Sequence, residues 1–515
     1  MINNPILRGF CPDPSIIRNE NDYFIATSTF EWWPGVRIFH SKNLVDFEQI
    51  SSPLRRYSQL DMTGDAPSCG VWAPDLTFDG KRYFLTYTDV KTKKYFYNTH
   101  NYLVYTDDIY GEWSEPVYLN SIGFDPSLLH DTDGKKYLVS MLNGFKGITI
   151  QEIDSDTYEP VGERILIYQG SGLGCTEGPH LYHINDYYYL VVAEGGTDYD
   201  HCVTLARSKN IYGPYETAPN NPIITSDKTK GIQRSGHGDL VITPNGNVYM
   251  VHLCSRPVKD IGCVLGRETA IQEMEWSQGW LYLKNGGRYA YDFLEEVNGV
   301  TSNKKANNNI LFEDDFSLPN IRYEYASPRR NYNEFATLLS DGDEHFLHIK
   351  GQESINSYHR VSLLAMRQEE YSCIVRADMK CVPTAPERMA GLVYIYDSLN
   401  CYMWVRTLDE DGKDVLKLIK SDKGVITTER VICLNCSASI SLYIKTIEGK
   451  YILFGYGNDD ECLFLDDTYS TSILNDEYCR GFTGCQFGMY AHDLTGDGYG
   501  ADFSRFSIIQ TEENR

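Results

Sequence analysis

The sequence lacks any run of the roughly eighteen consecutive apolar residues that a membrane-spanning helix requires, so no such helix is expected. Positive charge is scarce: 47 Lys and Arg face 71 Asp and Glu, a formal net charge of −24 with His neutral. A surface this acidic repels phosphate backbones and anionic lipid, which removes nucleic acid and membranes from the expected partners. The opening Met1-Ile2-Asn3-Asn4-Pro5 has neither the basic region nor the apolar run of a signal peptide, and a cytoplasmic location is the expectation. Organised cysteine is missing too. The 14 cysteines are scattered, and Cys433-Leu434-Asn435-Cys436 has no second pair, so core packing is expected in place of disulfides, zinc or redox chemistry. Gly170, Gly172 and Gly174 are followed by no Lys-Ser/Thr, which argues against a phosphate loop. The stretch from Asp493 to Gly498 has Ser504 where an EF-hand needs its bidentate Glu, so a plain turn is expected there. Amphipathic helical periodicity is absent, and with it the α/β folds built on crossover helices.

What is present is aromatic and repetitive. Tyr alone supplies 39 of the 515 residues. A unit recurs five times: DPSIIRNENDYFIATST from Asp13, APDLTFDGKRYFLTYTD from Ala73, DPSLLHDTDGKKYLVSM from Asp125, EGPHLYHINDYYYLVVAEGG from Glu177 and GHGDLVITPNGNVYMVHL from Gly236. In each, two apolar runs flank a turn, and Asp79-Gly80, Asp133-Gly134 and Asn245-Gly246 are hairpin dipeptides. A period of about fifty to sixty residues with several strands per copy is the mark of a propeller blade. The expected fold is all-β: a five-bladed β-propeller over 1–295, a polar linker over 296–309 rich in Asn, and a C-terminal β-sandwich over 310–515. In the sandwich, AGLVYIYDS and CYMWVRTLDEDGKDVLKLIK read as strands, the latter turning at Asp411-Gly412.

In a propeller the innermost strands line the axis, so equivalent positions of the copies converge. Three of the five openings present a carboxylate: Asp13, Asp125 and Glu177. Crowded carboxylates cannot all ionise freely, and at least one should hold its proton firmly, as a general acid must. Phe30, Trp32, Trp33, Trp72 and Phe124 add flat faces suited to sugar C–H surfaces. Carboxylates with aromatics point to glycoside hydrolysis. The competing reading of Asp13 and Asp125 is local, since Asp-Pro pairs form turns whose carboxylate caps its own loop.

CPDPS, STFEWWPG, GVWAPDL, FDPSL, TEGPHLY, AEGGT, LGRETAIQ and GFTG together resemble glycoside hydrolase family 43, in its β-xylosidase branch. The resemblance implies that Asp13 is the general base, Glu177 the general acid and Asp125 the group that orients and tunes that acid, in a wetter site for Asp13 than for the other two. It implies Arg267 as a substrate-binding residue, where the alternative is an ordinary surface ion pair with Glu268 or another acid. Phe30, Trp72 and Phe124 would wall the terminal sugar pocket, and Phe482 would reach in from the sandwich. Near His237, relatives hold a calcium ion on the propeller axis. The alternative is a histidine hydrogen-bonded in the channel that touches Asp13 or substrate, with no cofactor needed for catalysis. Asp239 departs from the apolar or small residue usual in the branch.

The expected function is an inverting exo-hydrolase that releases D-xylose from the non-reducing ends of β-1,4-xylooligosaccharides and also terminal α-L-arabinofuranose. The alternative is a dedicated α-L-arabinofuranosidase or arabinan-degrading enzyme. A fructan hydrolase and a non-catalytic carbohydrate-binding propeller rank below these, the first for want of its own motifs and the second because all three carboxylates are present. A small oligosaccharide is the expected partner, and a homo-oligomer is open to a chain of this kind.

Overall fold

The computed structural model describes residues 1–92, 98–303, 309–434, 438–458 and 461–511. Cys436 and residues 304–308 of the expected linker lie outside them. The chain divides into two compact units: Met1–Asp61, Ser68–Arg256 and Arg267–Lys304 form the first, and Met62–Pro67, Pro257–Gly266 and Lys305–Arg515 the second. Two short segments inside the repeat region thus belong to the second unit. The start of the expected linker belongs to the first, because Val297 is wholly buried in its core.

The first unit is a five-bladed propeller. Its blades are antiparallel meanders, Ser15–Asn19, Asp22–Thr27, Arg37–Ser41 and Glu48–Ser51 in the first. The innermost strands of the others are Gly70–Phe78, Ser127–His130, Glu177–Ile184 and Gln233–Ile242, each beside the next and the last beside the first. Second strands such as Val248–Ser255 are buried along their whole length, since neighbouring blades cover both faces. That is why they read as unbroken apolar runs, whereas the outermost strand Pro160–Tyr168 is mostly exposed. Ile25, Val251 and Ile271 pack the seam between first and fifth blades, each contributing about 1.5–3 kcal/mol of burial. At the Asp79-Gly80 turn, Asp79 Oδ1 accepts the N–H groups of Lys81 and Arg82 at 3.0 and 2.9 Å, and Gly80 adopts a φ of +92°.

The ring is closed by the chain's first residues. Ile2–Asn3 pairs with Phe293–Leu294, Leu7 bridges Thr269, and the Cys11 N–H donates to the Arg267 carbonyl at 2.9 Å.

The second unit is a sandwich of two antiparallel sheets. One is built on Cys373–Lys380, Ser439–Ile447 and Gly500–Gln510, the other on Leu363–Arg367, Gln486–Asp493, Arg388–Asp397, Asn400–Leu408, Asp414–Asp422 and Val425–Cys433. Trp404 of the second sheet is wholly buried and donates its Nε1–H to the Gly455 carbonyl of the first at 2.8 Å. The hairpin at Asp411-Gly412 forms as expected. Asp493 caps its own turn, accepting the N–H groups of Thr495, Gly498 and Tyr499. Among the described residues no helix is long and apolar enough to cross a membrane.

Candidate active site

Asp13 and Asp125 each stand two residues before an innermost strand, Glu177 opens one, and His237 occupies a register shift between Gly236 and Gly238 in another. Asp13, Asp125 and His237 adopt φ values of +52°, +53° and +50°, a left-handed backbone that non-glycine residues enter at a cost of about 1–3 kcal/mol. Such positions persist where the surroundings over-determine them.

Asp13 Oδ2 accepts the Ser28 hydroxyl at 2.7 Å, while its Oδ1 faces Arg267 Nη1 at 3.2 Å and His237 Nδ1 at 3.7 Å. Asp125 Oδ2 accepts the Gly178 N–H of the fourth blade at 3.0 Å, and the Asp125 N–H donates to the Thr88 hydroxyl at 3.2 Å. Neither carboxylate caps its own loop, so the local turn reading does not describe them. The expectation of a wetter Asp13 needs correction, for it is only 5% exposed. Arg267 is itself buried, donates to the Thr197 hydroxyl at 3.2 Å and lies 5.1 Å from the Phe30 ring centre. Glu268 pairs with Arg256 at 2.7 Å, and the acid that Arg267 meets is Asp13, in a buried pair and not on the surface.

The aromatic residues form a row, with ring centres 5.9 Å apart for Phe10 and Phe30, 6.0 Å for Phe30 and Trp72, 5.5 Å for Trp72 and Phe124, and 6.1 Å for Phe124 and Phe145. The Trp72 indole is fixed by donating to the Ser68 carbonyl at 3.0 Å. The structure therefore brings Asp13, Asp125, Glu177, Arg267, His237, Phe30, Trp72 and Phe124 into one neighbourhood. Phe482 lies in the second unit, half-buried, between the helix Asp476–Cys479 and the strand Gln486–Asp493.

Burial pushes the Glu177 carboxyl well above the usual carboxylate range, and the charges of Asp125 and Asp13 push it further, with Arg267 opposing. Asp125 is raised to about 7 by burial and by Asp13, against the Gly178 N–H, His180 and Arg267. Burial lowers His237 to about 4 despite the pull of Asp13, so it is neutral at pH 7. Glu177 keeps a partly exposed edge although protein surrounds it, and among the described residues its carboxyl has no hydrogen-bond partner. It is free to face a ligand.

Sequence reasoning missed Asp75 and His180 and saw Asp239 only as a departure. Together they are the one group among the described residues whose ligand atoms lie close as in a metal set, within 4.8 Å of one another. The oxygens are already engaged. Asp75 accepts from the Ser15 hydroxyl at 3.2 Å and the Leu128 N–H at 2.8 Å; Asp239 accepts from Ser15 at 3.0 Å, the N–H groups of Ile16 and Leu240 at 2.7 and 2.8 Å, and the Tyr182 hydroxyl. His180 Nδ1 approaches Asp75 Oδ1 at 3.2 Å. Burial works against the charge on His180, but the Asp239 and Asp75 carboxylates overcome it and hold the imidazolium to about 9. The imidazolium takes a cation's place, and a calcium ion wanting about six to eight oxygen ligands does not fit this set. His237 is not part of it, and its nearest carboxylate already faces Arg267.

The profile of Glycosyl hydrolases family 43 matches residues 2–281, and that of the beta xylosidase C-terminal Concanavalin A-like domain matches 313–509. A xylosidase/arabinosidase 43B of Humicola insolens is 40% identical over 98% of this chain and 97% of its own length. A beta-xylosidase of Bacillus subtilis (strain 168) is 38% identical over 98% and 99%. The crystal structure of a xylan beta-1,4-xylosidase from Bacillus halodurans C-125 superimposes with a TM-score of 0.93 at 39% identity, covering 99% of this chain and 100% of that one. Propeller, carboxylates and end-to-end likeness agree: the chain belongs to glycoside hydrolase family 43.

Proposed function

We infer that this chain is an inverting, exo-acting glycoside hydrolase that releases D-xylose from the non-reducing ends of β-1,4-xylooligosaccharides and takes terminal α-L-arabinofuranose as a second substrate. The observation that carries this reading is a Glu177 carboxyl whose proton affinity is raised by burial and by the charges of Asp125 and Asp13, with Asp13 itself held at 3.2 Å by Arg267 of a different blade. In this reading Glu177 gives its proton to the glycosidic oxygen as the bond to the anomeric carbon breaks. Asp13 takes a proton from the water that attacks that carbon from the opposite face, and the product leaves with inverted configuration. Asp13 then gives up its proton to solvent and Glu177 regains one, which resets both groups. Asp125 raises the acid's proton affinity as a like charge and holds the Gly178 main chain beside it. Arg267 offers its planar donor fork to sugar hydroxyls, and Phe30, Trp72 and Phe124 offer faces to sugar C–H groups.

Xylose as the first substrate is supported by the beta-xylosidase name of the Bacillus subtilis relative, and arabinose as the second by the joint name of the Humicola insolens one. Initial rates on p-nitrophenyl β-D-xylopyranoside and p-nitrophenyl α-L-arabinofuranoside test the order. A faster xyloside rate, with α-xylose as the first anomer seen by NMR, is expected; a faster arabinofuranoside rate would transfer the assignment to a dedicated arabinofuranosidase. Glu177→Ala and Asp13→Ala should each lower kcat on xylobiose by about 10²- to 10⁴-fold with the fold intact.

We further propose that catalysis needs no cofactor, because Arg267 and the His180 imidazolium supply the positive charge around the carboxylates. Dialysis against EDTA should leave turnover unchanged. Loss restored by calcium would instead favour a cation near His237. The net charge of −24 supports exclusion of nucleic acid and anionic lipid, in keeping with action on imported oligosaccharides in the cytoplasm. For association of copies, the edge strand Val425–Cys433 offers exposed Val425, Ile426 and Val431.

A further inference from the structure

With no hydrogen bond to its carboxyl among the described residues, Glu177 is placed by the main chain that carries it. On one side, Gly178 is held by Asp125. On the other stands Thr176, whose hydroxyl donates to Glu194 Oε1 at 3.0 Å. Glu194 is wholly buried at the end of Tyr187–Glu194, the strand that pairs with Glu177–Ile184 and sets Glu177 opposite Ala193. Its Oε1 also accepts the Ser171 N–H at 3.0 Å, and its Oε2 accepts the hydroxyls of Ser171 and Thr204, both at 2.6 Å.

A carboxylate is acceptor-only, so all of these donors can point at it together; an amide or hydroxyl in its place would turn a donor toward them. A buried charge is costly unless its oxygens are satisfied in this way, and among the described residues Glu194 has no ion-pair partner to defray it. The loop 170–176 is drawn close: a Cβ on Gly170 would lie 2.1 Å from Thr176 Oγ1 and 2.7 Å from Glu194 Oε1. The Gly195 N–H, next in sequence to Glu194, donates to the Gly174 carbonyl at 2.8 Å.

We propose that Glu194 is a positioning residue for the acid: by gripping Ser171, Thr176 and Thr204 it clamps loop 170–176 and holds Glu177 within reach of the leaving oxygen. The proposal rests on the reading of Glu177 as general acid. A displaced acid fails most where the leaving group needs protonation. Xylobiose expels a sugar alkoxide and needs it; 2,4-dinitrophenyl β-D-xyloside expels a stable phenolate and scarcely does. Glu194→Ala should lower kcat on xylobiose by about 10- to 100-fold, a share of what a placed acid contributes. On the dinitrophenyl substrate it should change kcat by less than about threefold, with KM on both little altered.

Glu194→Gln, of the same size, should show the same asymmetry more weakly, and it carries the test should the alanine variant not fold. Equal losses on both substrates, or none on xylobiose, would overturn the clamp. Glu177→Ala runs alongside and must show the asymmetry in full. If it does not, the acid reading falls and takes the clamp with it; if it does while the Glu194 variants do not, the clamp alone falls.

Discussion

Asp125 touches its neighbour Glu177 in two ways, as a charge and as a hydrogen-bond acceptor for the next residue's N–H. Replacing it by Asn removes the like charge while keeping the acceptor. After burial, that charge is the strongest influence raising Glu177, so Asp125→Asn should move the alkaline limb of the kcat/KM profile to lower pH. Arg267 works in the opposite sense, and Arg267→Gln should move the limb to higher pH as it weakens binding. Limbs that stay in place would dissociate Glu177 from the acid role. At this scale Asp13, Asp125 and Glu177 were legible because blade openings repeat. Ser28, Thr197 and Glu194 were not: their partners come from other strands, and nothing in a lone Ser, Thr or AEGGT motif names the group it will face.

At the scale of elements, the axial group fastens every blade. Ser15 comes from the first, Asp75 from the second, the Leu128 N–H from the third, His180 and Tyr182 from the fourth and Asp239 from the fifth. Removing one partner leaves buried charges unmatched, and Asp239→Ala should cost about 3–5 kcal/mol of stability in denaturant melts. The pH dependence follows from the sign of each shift. His180 has an ordinary value of 6.5 and is raised to about 9, so its stabilisation is complete below 6.5 and disappears as pH rises through about 9. Asp125, raised from 3.8 to about 7, favours the protonated native state, so its contribution fades as pH climbs to about 7. Tm should therefore fall from pH 6 to pH 9, and His180→Gln should flatten the upper part of that fall. The blades themselves could be read from Asp-Gly and Asn-Gly turns and apolar runs. The segments 62–67 and 257–266 could not be assigned, because membership of a unit depends on through-space packing. Asp239 looked anomalous for the same reason: its meaning lies in His180, on the innermost strand of the preceding blade.

For the whole molecule, the charge of −24 sets a repulsion that no pair of residues accounts for. Raising sodium chloride from about 10 to about 150 mM shortens the screening length from about 30 to about 8 Å, and Tm should rise by a few degrees. A Tm indifferent to salt would mean that the acidic groups are already balanced locally. The closure of the ring has a consequence in time. Arg267 meets Asp13 across 254 positions of chain, and Ile2–Asn3 waits for Phe293–Leu294. A ribosome delivers the proposed base 254 residues before the arginine that grips it, so the pocket of a nascent chain stays unassembled until the last blade emerges.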